Sequence, residues 1–118
     1  MAIETSTIEV NGRTIGVDNE GYLLNPEDWD LDVANALADS IEIVMTDHHW
    51  ELVNYVRETF EFRHAIPELR HALKYLAERL GKDLVNRKFV YKLFPYGYGQ
   101  QACKIAGMRK PLKIILDL

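Results

Sequence analysis

Cysteine is almost absent from this chain, whose 118 residues contain only Cys103. A single thiol cannot close a disulfide within the chain, which agrees with a reducing compartment. Apolar stretches are short and interrupted by charge, so none approaches the ~20 residues of a membrane span. The first five residues lack the basic start and the apolar run of a signal peptide. We therefore expect a cytoplasmic protein that does not enter a membrane.

Several motifs that carry chemistry are also missing. Gly97 and Gly99 lack the flanking strand and helix that a nucleotide-binding glycine loop requires, and neither a zinc-ligand spacing nor a nucleophile elbow occurs. His48 and His49 point about 100° apart on a helix, so they do not share a face as a metal pair would. The sequence predicts no metal, no cofactor and no independent active site.

Charge is distributed unevenly along the chain. The net charge of −4 argues against a general nucleic-acid binder. From Lys104 to Lys113, however, the chain has basic residues and no acid. A basic end on an acidic body predicts that the tail meets a negative surface, on another molecule or on its own body. With 47% apolar residues, the sequence fits one domain spanning residues 1–118, with 108–118 as a C-terminal tail.

Strand signals are confined to the N-terminal part. Residues 7–10 alternate polar and apolar side chains, Asn11-Gly12 follows, and residues 13–17 form a second short run. An Asn-Gly pair between such runs is a strong hairpin signal, because both turn residues must tolerate positive φ. Tyr22 and Leu23 suggest a third short strand.

Helical patterns fill the rest of the chain. Asn25 and Pro26 open a helical region that reaches about Ser40, with an irregular start. Further helices are predicted over about 47–64, 67–80, 84–94 and 100–106, the last ending at Gly107. The expected fold class is α+β, a small N-terminal antiparallel β-meander packed on an array of about five helices.

The segment from Phe94 to Pro111, FPYGYGQQACKIAGMRKP, resembles the C-terminal signature of the DsrC/TusE sulfur-relay family. Other segments resemble the same family in the same order, and together they cover roughly residues 8–111. They are Glu20-Gly21-Tyr22-Leu23 with Trp29, the helix from His49 to Arg57, Pro67 with Arg70, and Tyr91 to Pro95. The family fold, a β-meander packed against helices, agrees with the pattern.

The resemblance implies a role in sulfur trafficking. In the family, a thiol near the end of a mobile C-terminal arm carries sulfur as a persulfide, and some members add an upstream cysteine. Cys103 matches the upstream cysteine, whereas Ile114 stands eleven residues further on and Asp117 is the penultimate residue. Cys103 is therefore the only candidate sulfur-accepting thiol, and its alternative role is a small buried hydrophobe inside a short helix.

The resemblance also implies a partner-binding segment, and three arginines are separate candidates. The partner-binding candidates belong to the signature segment and the helix before it: Tyr91, Phe94, Lys104, Arg109 and Lys110. Arg57, Arg63 and Arg70 are candidates for a groove that receives a tail or an anionic sulfur species, and solvated helix charges are the alternative. Burial in a helix would raise the pKa of the Cys103 thiol and slow its reactions, while nearby cations would favour the thiolate.

Three functions compete at this stage. The first is a sulfur-relay protein whose partners are sulfur-relay or sulfite-reductase-like proteins. The second is a regulatory or binding member of the family without transfer chemistry. The third takes residues 47–80 as a helix-turn-helix that contacts nucleic acid, against which the acidic net charge weighs.

The apolar ending predicts a docked tail. Burying three apolar side chains of residues 112–118 is worth on the order of 5 kcal/mol, whereas ordering seven residues costs roughly 7 to 14 kcal/mol. Docking therefore needs added hydrogen bonds, as at a sheet edge of this chain or of a second copy. Deleting residues 112–118 should lower the melting temperature or shift the oligomeric state. Unchanged values, with the tail amides unprotected in hydrogen exchange, would contradict docking.

Overall fold

A β-hairpin begins the part of the chain that the structure, a computed structural model, describes, residues 5–109. Strand β1 (Thr5–Val10) pairs antiparallel with β2 (Arg13–Asp18), and Ile8 faces Ile15 in the register. Asn11 and Gly12 turn between them with φ of 49° and 80°. Both turn residues have the positive φ that a tight two-residue hairpin requires, which confirms the predicted hairpin.

The third predicted strand is reduced to a single bridge between Val17 and Leu23. The Asp18 carboxylate accepts hydrogen bonds from the backbone N–H groups of Glu20 and Tyr22, both at 2.9 Å. These bonds hold a tight turn and use a donor that a longer ladder would need. The meander therefore shrinks to a hairpin with one added bridge, and the α+β class stands.

Among the described residues, five α-helices follow a short 3-10 helix, Pro26–Asp28. They are α1 (Leu31–Ser40), α2 (Asp47–Arg63), α3 (Leu69–Leu80), α4 (Arg87–Leu93) and α5 (Tyr98–Ile105). Side-chain oxygens set several starts: Asp30 accepts from the N–H of Val33, and Asn86 accepts from the N–H of Phe89. These caps move the starts of α1 and α4 later than periodicity alone predicts, because the capping residue lies outside the helix.

The core has two parts. A larger cluster joins the helices and includes Leu52, Leu76 and Cys103, and a smaller one joins the hairpin to α1 through Ile15 and Leu37. Trp29 packs against both clusters. It lies just before α1 and so links the hairpin layer to the helix array.

His49 connects α2 to α4. Its Nδ1 accepts a hydrogen bond from the Thr46 backbone N–H at 3.1 Å, so Nε2 carries the proton and donates to the Leu93 carbonyl at 2.9 Å. Its ring also meets the edge of Phe94, with centroids 5.2 Å apart. Burial lowers the pKa of His49, the bond to Leu93 opposes that shift, and the neighbouring charge of His48 adds to it. The neutral ring is therefore the structural form.

Two expectations concern the ends and the membrane. In the part of the chain that the structure describes, no helix is long and apolar enough to cross a membrane. The tail was predicted over residues 108–118, and of these only Met108 and Arg109 are among the described residues. The predicted docking of residues 112–118 lies outside them.

We predict that His49→Phe lowers the free energy of unfolding by roughly 1–3 kcal/mol at neutral pH, because it leaves the Leu93 carbonyl and the Thr46 N–H without their partner. Since the folded pKa of His49 lies below its unfolded value, its contribution is complete above about pH 6.5 and is lost as pH falls through the folded pKa. Chemical denaturation across this range measures both effects.

His71→Gln serves as the control, since His71 lies exposed on α3. The control should keep both the free energy of unfolding at neutral pH and its decrease as the pH falls. In His49→Phe, that decrease should be smaller. An equally steep decline in His49→Phe would show that another group causes it.

Candidate functional site

The candidate thiol lies in α5, a helix that is largely surrounded by protein. Cys103 has no solvent-exposed surface and belongs to the larger core cluster. Six residues of α5 are buried: Tyr98, Gly99, Gln101, Ala102, Cys103 and Ile105. The predicted position inside a short helix is confirmed. The thiol is thus held in the interior, where a reagent reaches it only after the structure opens.

The C-terminal end of α5 forms a Schellman motif. The Met108 N–H donates to the Cys103 carbonyl at 2.9 Å, and the Gly107 N–H donates to the Lys104 carbonyl at 3.1 Å. Gly107 takes φ of +77°, the left-handed conformation that this motif needs and that glycine adopts without a Cβ penalty. The backbone of Cys103 is therefore bonded to the residue that starts the C-terminal segment.

Trp29 and Arg57 complete this end of the helix, and we refer to the pair as the exit clamp. The Trp29 indole Nε1 donates to the Ile105 carbonyl at 2.8 Å, and Arg57 Nη1 donates to the Ala106 carbonyl at 2.7 Å. The guanidinium carbon of Arg57 lies 3.8 Å from the centroid of the Trp29 ring, a cation–π contact. The clamp satisfies two carbonyls that the end of an α-helix leaves without intrahelical partners.

Arg57 brings a positive charge to the C-terminal end of α5. Burial lowers the pKa of Arg57, and the negative charge of Glu61 opposes that shift. A guanidinium stays protonated in proteins, so the clamp places a positive charge at the C-terminal end of α5. Positive charge there is favourable because the helix dipole is negative at that end.

Tyr22 and Lys104 lie beside α5 on another side. The Tyr22 hydroxyl donates to the Gln100 carbonyl at 3.3 Å, and Lys104 Nζ lies 4.8 Å from the Tyr22 ring centroid. Burial, followed by the negative charges of Cys103, Glu20 and Asp18, raises the pKa of Tyr22 to about 12. Tyr22 is therefore a neutral hydroxyl at physiological pH. Its hydroxyl and the ammonium group of Lys104 therefore lie side by side against α5.

A small cavity of about 410 Å³ opens over this region. Its lining includes Tyr22, Tyr96, Gln100 and Lys104 but not Cys103. Access from the cavity to the sulfur therefore requires α5 or its neighbours to move.

The partner-binding candidates occupy different environments. Tyr91 is 38% exposed on α4, whereas Phe94 has no exposed surface and packs in the core, where it cannot meet a partner. Arg109 is exposed, and its Nη1 donates to the Leu24 carbonyl at 3.2 Å. Lys104 is half-buried over Tyr22. Lys110 lies outside the described residues.

Within residues 5–109, the three groove candidates lie in three different surroundings. Arg57 belongs to the exit clamp, and Arg63 lines a groove of about 730 Å³ between α2 and α3. Arg70 is exposed on α3, 3.4 Å from the Glu68 carboxylate. Within residues 5–109, no group of three or more His, Cys, Asp or Glu side chains is placed to hold a metal ion.

The sequence does not predict the exit clamp, although it singles out both of its residues. Trp29 belongs to an early segment of the resemblance and Arg57 is a groove candidate, but nothing in the pattern joins them to each other or to the end of α5. Trp29 and Ile105 are 76 residues apart in the chain, and Arg57 and Ala106 are 49 apart. Periodicity carries no information about contacts over such separations.

Comparisons with known proteins agree on one family. The family model described as "DsrC like protein" matches residues 9–115. The sulfurtransferase TusE of Pectobacterium atrosepticum is 40% identical over 108 residues, which cover 92% of this chain and 99% of that protein. The sulfurtransferase TusE homolog of Haemophilus influenzae is 38% identical with the same coverage.

Solved structures give the same result. The solution structure of Allochromatium vinosum DsrC superposes with a TM-score of 0.82 at 41% identity, covering 92% of this chain and 97% of that one. The oxidised gamma-subunit of the dissimilatory sulfite reductase (DsrC) from Archaeoglobus fulgidus superposes with a TM-score of 0.84 at 34% identity, covering 92% and 98%.

We predict that Gly107→Ala destabilises the protein more than Gly12→Ala. Both glycines have nearly equal positive φ, +77° and +80°, so each substitution costs roughly 1–2 kcal/mol from backbone strain alone. A Cβ at Gly12 meets nothing within 4 Å, whereas one at Gly107 would lie 2.5 Å from Trp29 Cδ1. Moving the indole breaks its bond to Ile105, which adds about 1 kcal/mol.

Chemical denaturation of the two variants measures the difference, and Trp29→Phe tests its origin. In a Trp29→Phe background, which has no indole N–H to lose, the extra cost of Gly107→Ala should shrink. Equal losses for Gly107→Ala and Gly12→Ala in the wild-type background would contradict the clamp.

Proposed function

The chain belongs to the DsrC-like protein family, and from that premise we propose that Cys103 is the thiol on which it carries sulfur. Relatives named sulfurtransferase TusE and DsrC make the chain a sulfur-relay protein of sulfur metabolism. The observation that carries the proposal is the position of Cys103. The chain's single thiol lies in the last turn of α5, and its backbone carbonyl accepts a hydrogen bond from Met108, the first residue of the C-terminal segment.

The reaction is a thiol–persulfide exchange. The Cys103 thiolate attacks the outer sulfur of a persulfide on a donor protein, and a new S–S bond forms on Cys103. The bond between the outer sulfur and the donor's cysteine sulfur breaks, and the donor leaves as a thiolate. Cys103 ends as a persulfide, no external oxidant or reductant is consumed, and a second exchange passes the sulfur to an acceptor.

Burial of Cys103 makes an opening step part of this mechanism. The thiol becomes accessible when the Schellman bonds and the exit clamp release the end of α5. Each net hydrogen bond is worth roughly 0.5–1.5 kcal/mol, and exposing the buried side chains of α5 adds to that cost, so the open state is the minor one. A donor that binds the open state better shifts the population toward it. Sulfur loading is thereby coupled to partner binding.

Partners and compartment follow from the same proposal. One structural relative is a dissimilatory sulfite reductase and another is the gamma-subunit of such an enzyme. We infer that this chain exchanges sulfur with sulfur-relay or sulfite-reductase-like proteins. A protein that works through one thiol requires a reducing compartment, and the cytoplasm supplies it.

Intact-mass spectrometry tests whether Cys103 carries sulfur. The purified full chain is incubated with cysteine persulfide and, separately, with a persulfidated sulfurtransferase. We expect a gain of one sulfur atom, reversed by a thiol reductant, because a persulfide is reducible whereas oxygen adducts of the sulfinic class are not.

Cys103→Ser is the matched control and should gain no mass. If the wild type gains no sulfur from either donor, even in mild denaturant that opens α5, the carrier proposal fails. Retained binding to a persulfidated partner would in that case indicate the regulatory or binding role.

A further inference from the structure

We propose that the exposed face of α4 is a docking surface for an acidic patch on the protein that exchanges sulfur with this chain. The proposal rests on the sulfur-relay function above and names the surface through which the partner is recognised. We call this surface the basic face, and it consists of Arg87, Lys88, Tyr91 and Lys92.

Helical geometry places these four side chains together. Successive residues of an α-helix are rotated by about 100°, so the four lie within a sector of about 140°. All four are exposed, while Val90 and Leu93 on the opposite side are buried. The core thus fixes which side of α4 faces solvent, and that side presents three cations around one aromatic ring.

The formal charge along this stretch of the sequence is of one sign. From residue 84 to residue 109 the sequence contains no aspartate or glutamate, although the whole chain has 18 acidic residues against 14 basic ones. Basic side chains on an otherwise acidic molecule create a field that steers a negatively charged surface to one place. The basic face therefore gives orientation as well as attraction.

A protein partner fits this surface better than nucleic acid does. Nucleic acid is a long polyanion, and its phosphates would extend from α4 over the acidic remainder of the chain. An acidic patch about as large as the basic face avoids that repulsion. Tyr91 at the centre supplies an amphipathic ring of the kind that anchors protein interfaces.

Hydrogen bonds connect α4, which carries the basic face, to α5, which carries the thiol. The Phe94 N–H donates to the Val90 carbonyl, and the Gly97 N–H donates to the Phe94 carbonyl, so α4 runs into α5 through a hydrogen-bonded turn. Gln101 of α5 accepts from the Tyr96 N–H at 3.0 Å and closes that turn. A partner docked on α4 therefore binds the unit that must open to expose Cys103.

Site-specific photo-crosslinking tests this surface in the full chain. A benzoylphenylalanine replaces Tyr91 in one variant and Phe62 in another, since Phe62 is also an exposed aromatic residue but lies on the α2–α3 groove. After illumination in cells of the source organism, the crosslinked peptides are mapped by mass spectrometry. We expect Tyr91 to capture a protein segment rich in aspartate and glutamate.

Charge reversal supplies the decisive comparison. Lys88→Glu with Lys92→Glu should reduce the Tyr91 crosslink at least about tenfold, as electrostatic steering predicts. Lys74→Glu with Lys82→Glu makes the same change in net charge at exposed positions elsewhere and should leave it unchanged. Glutamate suits position 88 in the first turn of α4 but opposes the helix dipole at position 92 in the last turn, so the melting temperatures of both double variants are measured to show that each is folded.

Several results would overturn the docking surface: no crosslink from Tyr91, a crosslink to nucleic acid, a captured segment without excess acid, or equal yields in the two charge-reversed variants. Loading from cysteine persulfide, which has no docking surface, separates this proposal from the carrier function. If the wild type and the Lys88→Glu, Lys92→Glu variant load sulfur equally and the crosslink does not depend on charge, only the docking surface is contradicted. If neither protein loads sulfur but the crosslink depends on charge, only the carrier function is contradicted.

Discussion

The last carbonyl groups of α5 have no partners within the helix, and the exit clamp supplies hydrogen bonds to two of them. Trp29 donates to one carbonyl and Arg57 to the next, and the two side chains stack on each other. Trp29 also packs against both core clusters, and Arg57 lies on α2. One contact set therefore joins the hairpin layer, the central helix and the thiol-bearing helix.

The proposed carrier role requires that a buried thiol become accessible to its partners. A permanently exposed persulfide would lose its sulfur to any thiol in the cell, because exchange depends on access. A permanently buried one would never be loaded. Cys103 is enclosed by the larger core cluster, and the hydrogen bonds and the cation–π contact at the end of α5 hold that enclosure in place. In the proposed mechanism, a partner's binding energy displaces those contacts.

Local chemistry explains which elements were predictable from sequence. Asn11 and Gly12 predicted the hairpin, and Gly107 predicted the end of α5, because each position needs a backbone conformation that few residues adopt. The third strand was over-extended because the Asp18 carboxylate bonds the backbone of the following turn, which alternation cannot reveal. Phe94 was assigned to partner contact from its neighbours in the signature, yet it fills the core beside His49. Contacts between distant residues, above all the exit clamp, have no signal in a single sequence.

The hydrogen bond from the Met108 N–H to the carbonyl of Cys103 makes the hydrogen exchange of that amide a measure of how often the end of α5 opens. The amide proton of Met108 is shielded by the same closure that encloses the thiol, so solvent deuterium reaches the amide in the openings that expose the sulfur. Its exchange rate in the resting protein would count those openings without any sulfur donor present. Amide exchange without a partner reports spontaneous opening, and any increase on adding a partner reports the opening that the partner causes.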